Sequence, residues 1–439
     1  MRPLPNFLEA ILPSLRNRQH AVNYALISVA SVLQMGGINF IVFPYLSRQL
    51  SMQNLGEIFL VLTVTNFFVS TIGPPISMYL YRHYNNVDLA GLPEFFGRIL
   101  FWLTVFCTIF VMSSSIIFHR VGSYWQLTYV AASYSHFLVY MYFLILDSVL
   151  VAICYLKLDF RSVLTSRFLF FVGSLTIIPC SFSGSPHWML SFAVGPLLGS
   201  FFLMVRMLKG REIVFHRLAA TTPRRGAWRD LGGMFVACLS SQVFVYADRW
   251  VLASYKIAKE EIAFFTIAVQ ACTLLMFPIE KLSEMTMPYI SMIASRGDFS
   301  RKHLAIFVFL SVISMAYVVT FGLLIGYCYI RLFKSAYFAG TWKYFIIFLF
   351  GYCFYPMYLF CRGIAIRFFS TSVLVFPYVS VSVFYVLGST IVMRLFWFPE
   401  GIAYIKSLCL ALLAGIYVVI FYPLISESRE RQEALGDVR

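Results

Sequence analysis

Charged residues are scarce in this chain, and their scarcity excludes most soluble folds. Asp, Glu, Lys and Arg together make up 12% of the 439 residues, whereas hydrophobic residues make up 60%. Soluble domains have roughly 25% charged and 45–50% apolar residues. The composition therefore predicts a protein embedded in a membrane, with no separate soluble domain.

Motifs of metal binding and nucleotide hydrolysis are also missing. Nine cysteines and seven histidines are scattered singly, without CxxC or paired-histidine spacing, so we expect no metal site, no catalytic cluster and no cofactor. No GxxxxGK followed by Ser or Thr is present, which argues against ATP hydrolysis on this polypeptide. The 34 basic residues lie mostly between apolar segments. Membrane lipids are therefore the expected partner of these charges, and nucleic acid is not.

Long apolar segments, by contrast, are abundant. A hydrocarbon core of about 30 Å requires roughly 20 helical residues, and segments of that length recur along the chain. The predicted spans are residues 23–46, 56–80, 97–118, 125–152, 166–183, 187–208, 231–254, 262–290, 303–326, 341–361, 368–392 and 401–424. The sequence thus predicts an all-α polytopic membrane protein of about twelve transmembrane helices.

Basic residues predict the orientation of these spans. With the N terminus in the cytoplasm, the cytoplasmic segments hold 23 Lys and Arg residues and the opposite loops hold 8. Cytoplasmic loops carry the excess of Lys and Arg in membrane proteins. We therefore predict a multi-pass protein of the inner (cytoplasmic) membrane with both termini in the cytoplasm.

A basic segment at the midpoint predicts a division into two halves. Residues 209–230 follow the sixth predicted span and form a cytoplasmic linker between residues 1–208 and residues 231–439. Transporters are often built from such repeats. When the halves are aligned with an offset of 207, Gly73-Pro74-Pro75 falls on Glu280-Lys281-Leu282, so we expect a broken second helix in each half.

Charged residues inside the predicted spans are the candidate functional residues. A charge near the bilayer centre is costly, and it usually faces an internal cavity or a partner. Adjacent helical residues point about 100° apart, so Asp248 and Arg249 are expected to have different partners, in a structural pair or in a functional site. Lys406 is expected to reach the membrane interface. The candidates are Asp147, near the end of its span, Asp248, Arg249, Glu280, Lys281 and Glu284.

Glu280 and Glu284 are the strongest acidic candidates. They lie one helical turn apart on the same face, between Pro278 and Pro288. We expect them to face a water-accessible cavity and to bind a proton or cation, the alternative being a network of ion pairs that only holds spans together.

Several segments resemble the Wzx-type oligosaccharide flippases of the multidrug, oligosaccharidyl-lipid and polysaccharide (MOP) exporter superfamily. The resemblance lies in LQMGG at 33–37, PYLSRQL at 44–50, NLGEIF at 54–59, YADRWVL at 246–252 and PYIS at 288–291. It implies two six-helix lobes of the MATE type around a central cavity that opens alternately to each side. It also implies a lipid-linked oligosaccharide as cargo, for the biosynthesis of a surface polysaccharide such as O-antigen.

The implied cargo assigns roles to the candidate residues. A polyprenyl diphosphate must cross a region of low dielectric, and cationic side chains would offset the cost. Arg249 and Lys281 are the predicted binding residues, while Asp248, Glu280, Glu284 and Asp147 are predicted ion-coupling or cavity carboxylates. Polysaccharide assembly proteins are possible further partners. Transport would draw on an ion gradient or on consumption of the cargo.

Two other functions remain open at this point. One is a cation-coupled multidrug or small-solute antiporter of the same fold. The other is a membrane-embedded polysaccharide polymerase or glycosyltransferase. Such enzymes usually carry a large polar loop or a catalytic cluster of His or Asp, and the longest loop here is short and basic. The sequence therefore favours a transporter over an enzyme.

Overall fold

Apolar runs of this length fold as helices, because no water is present in a bilayer to satisfy an open backbone. A computed structural model describes residues 18–83, 91–157, 159–182, 186–214, 225–296, 301–368 and 371–436, and every long element in these ranges is a helix. In chain order they are α1 (Arg18–Gly36), α2 (Phe43–Gln49), α3 (Met52–His83), α4 (Leu92–Tyr124), α5 (Tyr134–Leu156), α6 (Phe160–Leu175), α7 (Ile177–Ser181), α8 (Val194–Lys209), α9 (Arg225–Ser254), α10 (Lys259–Arg296), α11 (Arg301–Ile330), α12 (Phe338–Tyr352), α13 (Tyr355–Phe368), α14 (Thr371–Phe396) and α15 (Pro399–Gly436).

Within the described residues, eleven helices are long and apolar enough to cross a membrane, or twelve if one bent pair counts as a single span. The bent pair is Ser335–Tyr352 and Tyr355–Cys361, which meet at an angle of 40°. It coincides with the tenth predicted span, and each of the other eleven helices overlaps one predicted span. The predicted all-α, polytopic architecture is confirmed.

Burial follows the same order in the two halves of the chain. In the second and eighth spans, 78% and 67% of the residues in the most hydrophobic stretch are buried. In the third and ninth spans the buried share is only 22% each. The two mostly exposed helices therefore present apolar side chains to lipid. Two repeated halves would show the same succession of buried and exposed spans, so this pattern favours the repeat hypothesis.

The predicted breaks in the second helix of each half are not observed. α3 runs without interruption through Pro74 and Pro75, and α10 runs through Pro278 and Pro288. Proline removes one helical hydrogen bond, but neighbouring helices and Ser or Thr side chains can satisfy the freed backbone groups in a membrane.

The first span contains an irregularity that the sequence did not predict. Between α1 and α2, residues Gly37–Val42 form a π-helical turn. The ring of Phe171 in α6 lies against Gly37, and a Cβ added at that glycine would be 2.9 Å from the ring. The glycine therefore allows α6 to approach the first span closely.

Contacts divide the chain into two compact units. The first contains Met1–Tyr45, Ile72–Val121 and Ala131–Ala227, and the second contains Leu46–Thr71, Gly122–Val130 and Trp228–Arg439. Two segments of the first half of the chain, 46–71 and 122–130, thus belong to the second unit. The predicted lobes 1–208 and 231–439, with their linker 209–230, stay a prediction.

Reporter fusions can test the predicted orientation. Because basic residues are concentrated in alternating loops, we expect fusions at Arg211 and at Arg439 both to report a cytoplasmic location. A periplasmic signal from either fusion would contradict the orientation, and disagreement between the two would contradict the even number of spans.

Candidate functional site

A buried carboxylate in α9 is the centre of the main candidate site. The side chain of Asp248 is fully buried in the second unit. Its Oδ2 atom accepts a short hydrogen bond from the ammonium of Lys406 in α15, and its Oδ1 atom accepts the backbone N–H of Arg249 at 2.7 Å. A carboxylate in an apolar span is thereby paired with a cation from another helix.

Arg249 also contacts Asp248, which corrects the expectation that the two adjacent side chains diverge. Its Nη1 atom lies 3.6 Å from Oδ1 of Asp248. Helical geometry separates the Cβ directions of neighbours, but the long arginine side chain reaches back to the carboxylate. Nε donates to the hydroxyl of Thr266 over 3.3 Å, and Nη1 donates to the carbonyl of Val245 over 3.4 Å. Within the described part of the chain, no acceptor binds Nη2.

Lys406 does not reach the membrane interface, contrary to expectation. It is 2% exposed, and besides Asp248 it donates to the carbonyl of Val245 over 2.9 Å. The rings of Phe244 and Tyr385 lie 5.9 and 5.8 Å from its ammonium. Sequence reasoning missed Lys406 as a site residue because a lysine seven positions into a helix can either extend outwards or pair with a buried anion.

These three residues form what we call the Asp248 cluster: Asp248, Arg249 and Lys406. Two cations share one carboxylate, so the cluster carries a formal charge of +1 in an apolar environment. Arg249 is 4% exposed, and water therefore solvates its charge poorly. A net buried positive charge favours the binding of an anionic group.

Asp147 lies in the first unit and has its own partner. Its Oδ2 atom accepts a hydrogen bond of 2.5 Å from Nη1 of Arg167 in α6. Both residues are buried, at 1% and 5% exposed. The 23 basic residues that the sequence predicts to be cytoplasmic include Arg167, but it lies inside α6 and pairs with Asp147 there. Correcting the count leaves 22 cytoplasmic residues against 8, so the predicted orientation is unchanged.

The Asp147–Arg167 pair is electrically balanced, unlike the Asp248 cluster. Gly199 of α8 lies beside it, where a Cβ would be 3.3 Å from Oδ1 of Asp147. The ring of Phe170 is 5.8 Å from the guanidinium. A balanced pair packed among three helices favours a structural role, while an ion-coupling role for Asp147 stays a prediction.

Glu280 in α10 contacts a tyrosine of a neighbouring helix. Glu280 is half-buried and lies inside the long helix α10, 16 residues before its end at Arg296. Its Oε1 atom accepts a hydrogen bond of 3.4 Å from the hydroxyl of Tyr355, at the start of α13. The side chains of Lys281 and Glu284 lie outside the described residues, so their roles stay predictions.

Two further groups of ion pairs, which the sequence analysis does not predict, involve lysines near the ends of predicted spans. Glu57 in α3 is paired with Lys259 over 2.6 Å. Lys343 binds Glu400 over 2.8 Å and Glu261 over 3.4 Å. For Glu57 and Lys259, the signals in the sequence are a glutamate just inside one predicted span and a lysine just outside another.

No family model and no curated protein sequence matches this chain, but solved structures do. An inward-facing multidrug resistance MATE family transporter of the MOP superfamily is 12% identical with a TM-score of 0.67, over 93% of this chain and 96% of that one. The lipid II flippase MurJ in an inward closed conformation is 16% identical with a TM-score of 0.65, over 91% and 86%. A MOP superfamily transporter from Pyrococcus furiosus, whose binding pocket has a reverse polarity that suggests a different function, is 14% identical with a TM-score of 0.67. The similarity covers 94% of this chain and 96% of that one.

These likenesses cover nearly the whole chain, and at such low identity they concern the fold. The chain has the all-helical fold of MATE and MOP superfamily transporters, and it is a multi-pass membrane protein. Its similar structures include both multidrug transporters and a flippase for a lipid-linked substrate.

Proposed function

We propose that this chain translocates a lipid-linked oligosaccharide, carried on polyprenyl diphosphate, across the cytoplasmic membrane by alternating access. The cargo would serve the assembly of a surface polysaccharide. The observation that carries the proposal is the net positive charge of the buried Asp248 cluster. No catalytic step on this polypeptide is part of the proposal.

The charge of the cluster matches the chemistry of a diphosphate. A diphosphate loses its hydration when it enters a region of low dielectric, and fixed cations offset part of that cost. Arg249 is the better suited of the two cations, because its planar fork binds phosphate oxygens in a bidentate manner. Lys406 is engaged by Asp248, whereas Nη2 of Arg249 has no acceptor among the described residues. Lys281 is the second proposed phosphate-binding residue.

A cation-coupled multidrug antiporter of the same fold is the alternative. Its supporting observation is Glu280, since an acidic residue within the long helix α10 suits a cationic solute or a coupling ion. The similar structures include a multidrug resistance transporter and a lipid II flippase. We favour the anionic cargo, because the charged groups of the Asp248 cluster are buried in the span and have a positive sum, which would repel a cationic drug.

Arg249→Gln tests the proposal. The variant leaves Asp248 paired with Lys406, so we expect its abundance in the membrane to stay near that of the wild type. Delivery of the cargo should fall about tenfold to a hundredfold, because a hydrogen bond between charged groups is worth roughly 1.5 to 3 kcal/mol. Arg249→Lys keeps the charge but loses the fork, and it should retain part of the activity. Surface glycan and membrane protein level are measured on the same cells.

Arg394→Gln is the matched control, because Arg394 is an exposed arginine in the last turn of α14. We expect normal glycan from this variant. Normal glycan and normal abundance in Arg249→Gln would refute a role of Arg249 in binding the cargo. Resistance to cationic drugs that depends on Glu280, with normal glycan throughout, would instead support the antiporter.

A further inference from the structure

The NLGEIF segment at 54–59 contains a buried glutamate, Glu57, that binds two other segments of the chain. Glu57 is 1% exposed and accepts hydrogen bonds from Lys259 and from residues 128–130. Lys259 Nζ donates to Oε1 at 2.6 Å, and the backbone N–H groups of Tyr129 and Val130 donate to Oε2 at 2.8 and 3.4 Å. We call Glu57, Lys259 and residues 126–130 the Glu57 clasp.

Lys259 contacts the 126–130 segment as well as Glu57. Its ammonium donates to the carbonyl of Gln126 over 2.6 Å as well as to Glu57. Gly56 brings the two helices together, since a Cβ at this position would overlap the backbone carbonyl of Lys259. The glycine and the glutamate of this motif thus serve one contact, in which the glycine provides close approach and the glutamate provides the charge.

The clasp lies at the ends of several spans. Glu57 is near the start of α3, Lys259 begins α10, and residues 126–130 join α4 to α5. By the predicted orientation these ends are all extracytoplasmic. Lys259 therefore connects two segments from the first half of the chain to a span of the second half, all inside the second unit.

Further hydrogen bonds join the same parts of the chain nearby. Arg48 donates to the carbonyl of Leu332 over 3.2 Å, and the N–H of Lys334 donates to the hydroxyl of Ser47 over 3.3 Å. Of these links, only the Glu57 clasp contains a buried charge bound by an ion pair and backbone donors. Its loss would therefore leave a buried group unsatisfied, which costs more than the loss of an exposed hydrogen bond.

We propose that the Glu57 clasp is an electrostatic latch that holds the extracytoplasmic ends of α3 and α10 together and sets how often that side opens. This inference rests on the proposed transport function for its purpose. The opening of the clasp can be measured without any cargo.

Accessibility of a cysteine within the clasp provides the test. Val130 is fully buried, and Val130→Cys changes its volume little while leaving its backbone donor in place. The purified full-length protein in nanodiscs is treated with a charged maleimide, which reaches both faces, and each cysteine is followed by peptide mass spectrometry. We expect Glu57→Gln to raise the labelling rate at position 130 at least about tenfold, because the ion pair with Lys259 is lost and the amide oxygen binds the backbone N–H groups more weakly than a carboxylate does.

A second variant opens the clasp without removing a charge. Gly56→Ala forces α3 away from the backbone of Lys259, and it should raise the same labelling rate. Glu261→Gln is the matched control, because Glu261 lies two residues after Lys259 in α10 and binds Lys343 and Tyr344 instead. We expect no change at position 130 in this variant.

The native Cys272, which is fully buried in α10, reports unfolding in every sample. Unchanged labelling at position 130 in both clasp variants would overturn the latch. A parallel rise at Cys272, or an equal rise in Glu261→Gln, would also overturn it by indicating general loosening. Faster labelling at position 130 alone supports the latch, even if the lipid-linked cargo proves wrong in the glycan assay.

Discussion

Replacing Asp248 with asparagine should remove most of the protein from the membrane. Asp248 is the only carboxylate that contacts the cations of Arg249 and Lys406 among the described residues. Its neutralisation would leave two positive charges within a buried site, and breaking a buried ion pair costs about 3 to 5 kcal/mol. Total stabilities are only about 5 to 15 kcal/mol. The level of membrane protein and the melting temperature in detergent measure this loss.

Removing a cation from the same cluster should change the abundance of the protein only slightly. Lys406→Met leaves Asp248 with Arg249 and brings the cluster to a net charge of zero, so we expect abundance close to the wild type. The double variant Asp248→Asn/Lys406→Met restores the original net charge, and it should recover part of the protein lost in Asp248→Asn. This asymmetry follows from the presence of two cations and one anion.

Glu400→Gln is the control for Asp248→Asn, because Glu400 lies in the same helix as Lys406 but its side chain is 25% exposed. Loss of an exposed pair costs about 1 kcal/mol or less. Wild-type abundance of Asp248→Asn would contradict the burial of an ionised cluster. Equal loss in Lys406→Met and Asp248→Asn would contradict the excess of positive charge.

Arg167→Met should be almost as damaging in the first unit. It would leave Asp147 buried without its cation, and Oδ1 of that carboxylate already has no hydrogen-bond donor among the described residues. We expect a loss of about 3 to 5 kcal/mol, for the same reason as at Asp248. Thermal unfolding in detergent and the level in the membrane are the measurements.

The double variant Asp147→Asn/Arg167→Met should recover most of this loss, because removing both members of a balanced buried pair is often nearly neutral. Arg161→Met, at an exposed arginine in the same helix, should have little effect. If the double variant recovers abundance and also delivers cargo, the pair is structural. Recovered abundance without delivery would instead support the predicted coupling role of Asp147, and no recovery at all would contradict the pairing.

The sequence by itself determined the number and positions of the spans, because the hydropathy of about 20 consecutive residues is a local property. It also identified Asp248 and Arg249 as costly charges, since their type and place in a span need no knowledge of neighbours. The resemblance in residues 54–59 and 246–252 led to the MOP exporters, and the fold agrees with that superfamily.

Only the tertiary structure decided which charged residues form pairs. Lys406 is 158 positions from Asp248, and Lys259 is 202 positions from Glu57. Such pairs depend on which helix packs beside which, and no local pattern encodes that. The prolines of α3 and α10 were misread for a related reason: whether a proline breaks a helix depends on what surrounds the backbone groups that it frees. A membrane span can be recognised from its own residues, whereas the partner of a buried charge is chosen by packing.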